Sequence, residues 1–85
     1  MDRPAGLAVD SRGFLLVADK SNDRVLVVNR ATSEVLNMPL PVNIDNPYSL
    51  WLDESRGRLY VGENGGRNRV LVFDGIFNIS SLFIA

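Results

Sequence analysis

The sequence predicts an all-β chain made of two four-stranded antiparallel meanders in tandem, eight strands in all. Three observations predict it. First, the phrase Arg58–Glu63, a polar turn, then Arg69–Asp74 echoes Phe14–Asp19, a polar turn, then Arg24–Asn29. Second, short runs rich in Val, Leu, Tyr and Phe alternate with turns of Asp, Asn, Ser and Gly, the composition of pleated, half-buried strands and their connections. Third, apolar residues do not recur at helical spacing in any segment.

The elements follow in order. Pro4 and Gly6 introduce a first strand ending at Val9, and its small consecutive apolar residues suit a strand crowded on both faces. Asp10-Ser11-Arg12-Gly13 is a turn, with Asp at its start and Gly at its end. Phe14–Asp19 is the second strand, Lys20–Asp23 a polar turn, and Arg24–Asn29 a third strand so apolar that it predicts burial on both faces. After Arg30–Ser33, Glu34–Leu40 reads as a weaker fourth strand, which Pro39 relegates to a sheet edge. Pro41–Asn46 is a short connection, too apolar to let two units drift apart.

The pattern then restarts. Pro47–Asp53 repeats Pro4–Asp10 at an offset of 43 residues, Gly57 repeats Gly13 at 44, and Arg69 repeats Arg24 at 45. The growing offset places the extra residues in turns, where insertion leaves the alternation of side chains intact. Asp74-Gly75 turns the chain, and Phe77–Ile84 is expected to be the last strand. The units are residues 1–42 and 43–85, each expected to be one sheet of a common structure.

The chain has 85 residues, 46% apolar and 22% charged, with a net charge of -1. These values indicate a folded domain with no general attraction to polyanions. Cys and His are both absent, which excludes disulfides and His- or Cys-ligated metal. No apolar run approaches a membrane span and no signal-peptide pattern is present, so a soluble chain of undetermined compartment is expected.

Four strands repeating at about 43 residues are the signature of a propeller blade. The residues Pro4, Gly6, Leu7, Ala8, Val9, Asp10 and Gly13, followed by Leu16, Val17, Ala18, Asp19, Asn22, Arg24 and Val25, resemble the NHL repeat. The second copy resembles it through Pro47, Leu50, Leu52, Asp53 and Gly57, then Tyr60, Val61, Glu63, Asn68, Arg69 and Val70. It departs at Ser49, Trp51, Gly62 and Glu63. The resemblance implies a closed propeller, commonly of six blades. Two blades cannot close a ring, so the chain is expected to be an excised or engineered two-blade unit. Oligomerisation or missing blades would complete it, with three copies giving six blades.

Strand alternation places Lys20–Asp23, Pro41–Asn46 and Asn64–Asn68 at one end, and the remaining turns at the other. Lys20, Asn22, Asn64, Arg67 and Asn68 are the candidate partner-binding residues on that rim. Asp19 with Arg24, and Glu63 with Arg69, flank the second turn of each copy; their repetition reads as a structural ion pair rather than a ligand site. Asp10 and Asp53 read as turn caps, since no spacing matches a calcium loop. Trp51 is expected to fill a gap between blades. Asn78-Ile79-Ser80 matches a glycosylation acceptor but lies in an apolar segment, where chance explains it better.

No nucleophile elbow, phosphate-cradling loop or spaced acid pair is present, so no enzyme activity, cofactor or metal is expected. The leading reading is a structural and interaction module that assembles with itself and presents loops to protein partners. Two alternatives are an RNA-binding propeller fragment, as the resemblance suggests, and a non-catalytic piece of a propeller enzyme. RNA is the weaker partner, because Asp23, Asp45 and Glu63 crowd the rim and no exposed aromatics interleave with its basic residues.

Overall fold

A computed structural model describes residues 4–64, 66, 68–76 and 79–83. Among the described residues, seven strands form two antiparallel sheets. The first sheet contains β1 (Pro4–Val9), β2 (Phe14–Asp19), β3 (Arg24–Asn29) and β4 (Val35–Asn37), in that spatial order. The second contains β5 (Pro47–Asp53), β6 (Arg58–Glu63) and β7 (Val70–Phe73), again in chain order. Among the described residues there is no α-helix, and none long and apolar enough to cross a membrane.

The two sheets share one plan. Leu16 pairs with Ala8 and Val27 in the first; its equivalent Tyr60 pairs with Trp51 and Val72 in the second. Each first strand shifts register near its start, between Pro4 and Gly6 and between Pro47 and Ser49. Gly13 (φ 93°) and Gly57 (φ 62°) close equivalent hairpins in the left-handed region that glycine enters without strain.

Direct pairing puts Ala8, Leu16 and Val27 on one face of the first sheet, and Leu50, Leu52, Leu59, Val61, Leu71 and Phe73 on one face of the second. These faces meet in a single core that also takes in Phe14, Val25, Met38, Ile44 and Ile79. Leu16, Val27, Leu59 and Val61 are fully buried there. Burying each such side chain contributes roughly 1.5–3 kcal/mol. The first strands of the two sheets lie against each other, and Gly6 sits close against the backbone of Tyr48 and Ser49.

One expectation is corrected. Of the segment read as a last strand over Phe77–Ile84, Ile79–Phe83 form a 3₁₀ turn and Phe77, Asn78 and Ile84 lie outside the described residues, so among the described residues the second sheet has three strands rather than four. Ile79 is buried in the core, and the Phe83 ring stacks on Phe14 with centroids 5.4 Å apart. A short apolar run is compatible with either conformation. Here it contributes Ile79 to the shared core and Phe83 to its edge. The weak fourth strand of the first sheet survives as three residues at the edge.

Candidate functional site

The connection between the sheets organises one rim of the molecule. The Asn46 amide donates to Asp23 Oδ1 at 2.8 Å, the Asp45 amide donates to Glu63 Oε2 at 2.7 Å, and the Asn64 amide donates to the Asn46 carbonyl at 3.2 Å. Three turns expected at one end are thus tied together there. At the opposite end the Ser11 amide and hydroxyl both donate to the Glu54 carboxylate, at 2.6 and 2.8 Å.

Two equivalent charged clasps hold the rim hairpins. Asp19 is fully buried and accepts from Arg24 Nε at 2.8 Å and from Asn22 Nδ2 at 3.1 and 3.2 Å. Glu63, also buried, accepts from Arg69 Nε and from the Asp45 amide. Both arginines keep part of their surface in water, 39% for Arg24 and 36% for Arg69. Hydrogen bonding to Glu63 pushes the Arg69 guanidinium above its already high range. Each clasp ties together the two strands that flank its turn.

The sequence did not reveal the extra reach of Glu63. Its side chain is one methylene longer than Asp19, and the added length meets the connection at Asp45. The substitution of Glu for Asp between the copies is the signal that would have pointed to it.

Of the candidate contact residues, Lys20 and Asn22 lie in a 3₁₀ turn, Lys20–Asn22. Asn22 directs its amide back to Asp19, so that group serves the hairpin. Asn64 and Asn68 are exposed. Arg67 lies outside the described residues, as does Asn78 of the glycosylation pattern. Asp23 (φ 52°) and Asn68 (φ 48°) are left-handed and immediately precede Arg24 and Arg69. The structural equivalent of Asn68 is therefore Asp23 rather than Asn22. Asp and Asn tolerate this conformation better than most residues.

Beside this rim, a hollow of about 410 Å³ opens between β3 and the connection, lined by Arg24, Asn37, Met38, Leu40, Val42 and Ile44 among others. Its lining mixes polar and apolar side chains, and Arg24 Nη1 lies 3.5 Å from Asn37 Oδ1.

The turn aspartates differ in use. Asp10 Oδ1 accepts from the Arg12 and Phe14 amides at 2.9 and 2.8 Å, capping its own hairpin. Asp53 instead holds side chains: Arg56 Nη1 and Ser55 Oγ, each at 2.9 Å. Those two hydrogen bonds, Arg56 first, lower the Asp53 carboxyl below its usual range. Among the described residues, no group of three or more acidic side chains is arranged to hold a metal ion.

Trp51 departs from expectation. It is 62% exposed on the outward face of the second sheet, its ring tilted against Tyr60 with centroids 4.9 Å apart. Within the chain it fills no gap.

Residues 1–29 match the family model of the NHL repeat. Among curated proteins, none matches the chain.

Proposed function

We propose, from the NHL-repeat match over residues 1–29 and the two antiparallel sheets, that the chain is a propeller-type interaction module that assembles with copies of itself into a closed ring and presents its tied rim to protein partners. The observation that carries this reading is the character of the outward sheet faces. Leu7, Val9 and Val35 are exposed on the first sheet, and Trp51, Val70 and Val72 on the second. Apolar surface of this extent on both flanks marks an interaction site. Blades of this kind need a neighbour on each side. Three copies would bring six sheets together.

Partners would be gripped, not transformed; the module is a binding one. The rim turns are held in place by the Asp19–Arg24 and Glu63–Arg69 clasps, and a rigid scaffold carrying loops suits recognition. The hollow by Met38, Leu40 and Ile44 would take an apolar side chain from a partner loop, with Arg24 and Asn43 at its polar edge.

Light scattering on the purified chain tests the assembly. The expected result is a mass three times the 9.4 kDa monomer; a folded monomer overturns it. Titration with single-stranded RNA at low salt, where phosphate contacts are strongest, is expected to show no binding. Tight salt-sensitive binding would replace the protein-partner reading with RNA recognition.

A further inference from the structure

We propose that the outer edge of β7 is a docking site for a partner protein, which adds an extended segment to the second sheet as its fourth strand. The segment carries a lysine or arginine opposite Asp74 and an aliphatic residue opposite Val72. The site is an edge of backbone groups, separate from the sheet faces, and its chemistry is the same in one copy or three.

Alternate residues of a strand point their N–H and C=O groups to the same side. In the first sheet the groups of β3 that point away from β2 are taken up by β4 and its flanks. The Met38 amide donates to the Val25 carbonyl at 2.7 Å, Val27 pairs with Leu36, and the Asn29 amide donates to the Glu34 carbonyl at 2.9 Å. The repeat maps Val25, Val27 and Asn29 onto Val70, Val72 and Asp74. In the second sheet the Glu63 amide donates to the Arg69 carbonyl at 2.8 Å, which fixes the phase. Leu71 and Phe73 turn their backbone groups to β6, and Val70, Val72 and Asp74 turn theirs to the outer edge. Among the described residues, no backbone group of those three has a hydrogen-bond partner on that side.

The two sheets treat their edges differently. β4 has three residues, with Glu34 before it and Pro39 and Pro41 after it, the charge and proline that keep an edge from pairing further. β7 runs Val70-Leu71-Val72-Phe73 with neither, and Val70 and Val72 are both more than half exposed. An unguarded edge of this kind binds extended peptides through main-chain hydrogen bonds, with side chains setting the specificity. The chain itself shows what fits, because residues 34–38 fill the equivalent place on β3. One position has to differ. Glu34 stands opposite Asn29, whereas its counterpart stands opposite Asp74, whose side chain is 73% exposed. Like charges directly opposite are unfavourable, so a basic residue belongs there. Opposite Val72 an aliphatic side chain extends the exposed row of Trp51, Tyr60 and Val72.

Amide hydrogen exchange on the wild-type chain, read by NMR, tests the site. The Val72 amide is expected to exchange several-fold faster than its equivalent at Val27, which β4 covers. The probe is a synthetic peptide with blocked ends that copies residues 34–38 with Glu34→Lys. Adding it is expected to slow exchange at Val72 saturably and to leave Val27 unchanged. Two control peptides are expected to bind several-fold more weakly: one that keeps the glutamate, and one N-methylated at the position of Leu36, which cannot donate to the Val72 carbonyl. No slowing at Val72, or equal binding by either control, overturns the proposal. Protection of Val72 that rises with protein concentration in the absence of peptide also overturns it, because a second copy then closes the edge. Val72→Pro removes the edge donor while leaving the bonds to β6 in place. It is expected to stay folded by circular dichroism and to lose peptide binding; a folded variant that binds as wild type contradicts docking at this edge. Failure of ring assembly leaves the test intact, since exchange at Val72 is read in a monomer as well as in an oligomer.

Discussion

Gly6 and Tyr48 face each other across the seam between the two sheets so closely that a Cβ built on Gly6 would lie 2.8 Å from the Tyr48 carbonyl oxygen. The obstructing atoms are backbone, Tyr48 O and Ser49 Cα, and cannot rotate aside. Gly6→Ala is expected to separate the first strands and destabilise the chain by about 1–3 kcal/mol, the usual cost of overpacking. Urea unfolding measures it. A variant as stable as wild type would show that the seam yields.

The two charged clasps give a second prediction. Removing Arg24 leaves buried Asp19 with Asn22 among its partners, and removing Arg69 leaves Glu63 with the Asp45 amide. Arg24→Ala and Arg69→Ala are each expected to cost about 1–3 kcal/mol, the penalty for depriving a buried polar group of a partner. The double variant is expected to lose folded or assembled protein. Intact assembly with lost partner binding would instead make the arginines recognition residues.

Asp10 caps its hairpin through a single oxygen, Oδ1. Asp10→Asn keeps that acceptor and is expected to change the melting temperature little. Asp10→Ala strands the Arg12 and Phe14 amides and is expected to cost about 1–2 kcal/mol. Equal loss in both variants would mean that the charge matters rather than the hydrogen bonds.

Asp53 provides a pH prediction. Its folded carboxyl is lowered by Arg56 and Ser55. A lowered folded value means that the group stabilises the fold above its unfolded range, and that this contribution fades as pH falls through the folded value. Thermal melts of wild type and Asp53→Asn are therefore expected to differ at neutral pH and converge in acid, below the usual carboxylate range. A difference that grows in acid would contradict the assigned direction.

Much of the fold was legible because the repeat fixes strands and turns together. Gly13 and Gly57, Asp19 and Glu63, and Arg24 and Arg69 each recur at equivalent places, and their spacing alone locates the hairpins and the shared rim. What the chain does after Asp74 was not legible. An apolar run read from Phe77 onward satisfies a strand, but the burial of Ile79 in the shared core and the stacking of Phe83 on Phe14 are tertiary preferences that local pattern does not carry. Trp51 was legible in part for a related reason: composition marks it as apolar without saying whether its neighbour belongs to the same molecule. The reach of Glu63 to the connection needed a three-dimensional contact between residues 18 apart.

Ile79 tests the role of the terminal turn. It is 5% exposed in the core. Ile79→Ala is expected to cost about 2–5 kcal/mol, as for other buried large-to-small changes. A near-neutral result by urea unfolding would mean that the core packs adequately without it.

The central claim is that the apolar flanks of the two-sheet unit are satisfied by other copies in a closed ring. Sedimentation equilibrium over a wide range of protein concentration tests it most directly. The account predicts a plateau at three times the 9.4 kDa chain mass that does not grow further as concentration rises. A folded species that stays at the monomer mass throughout, with its flanks still exposed, would contradict it.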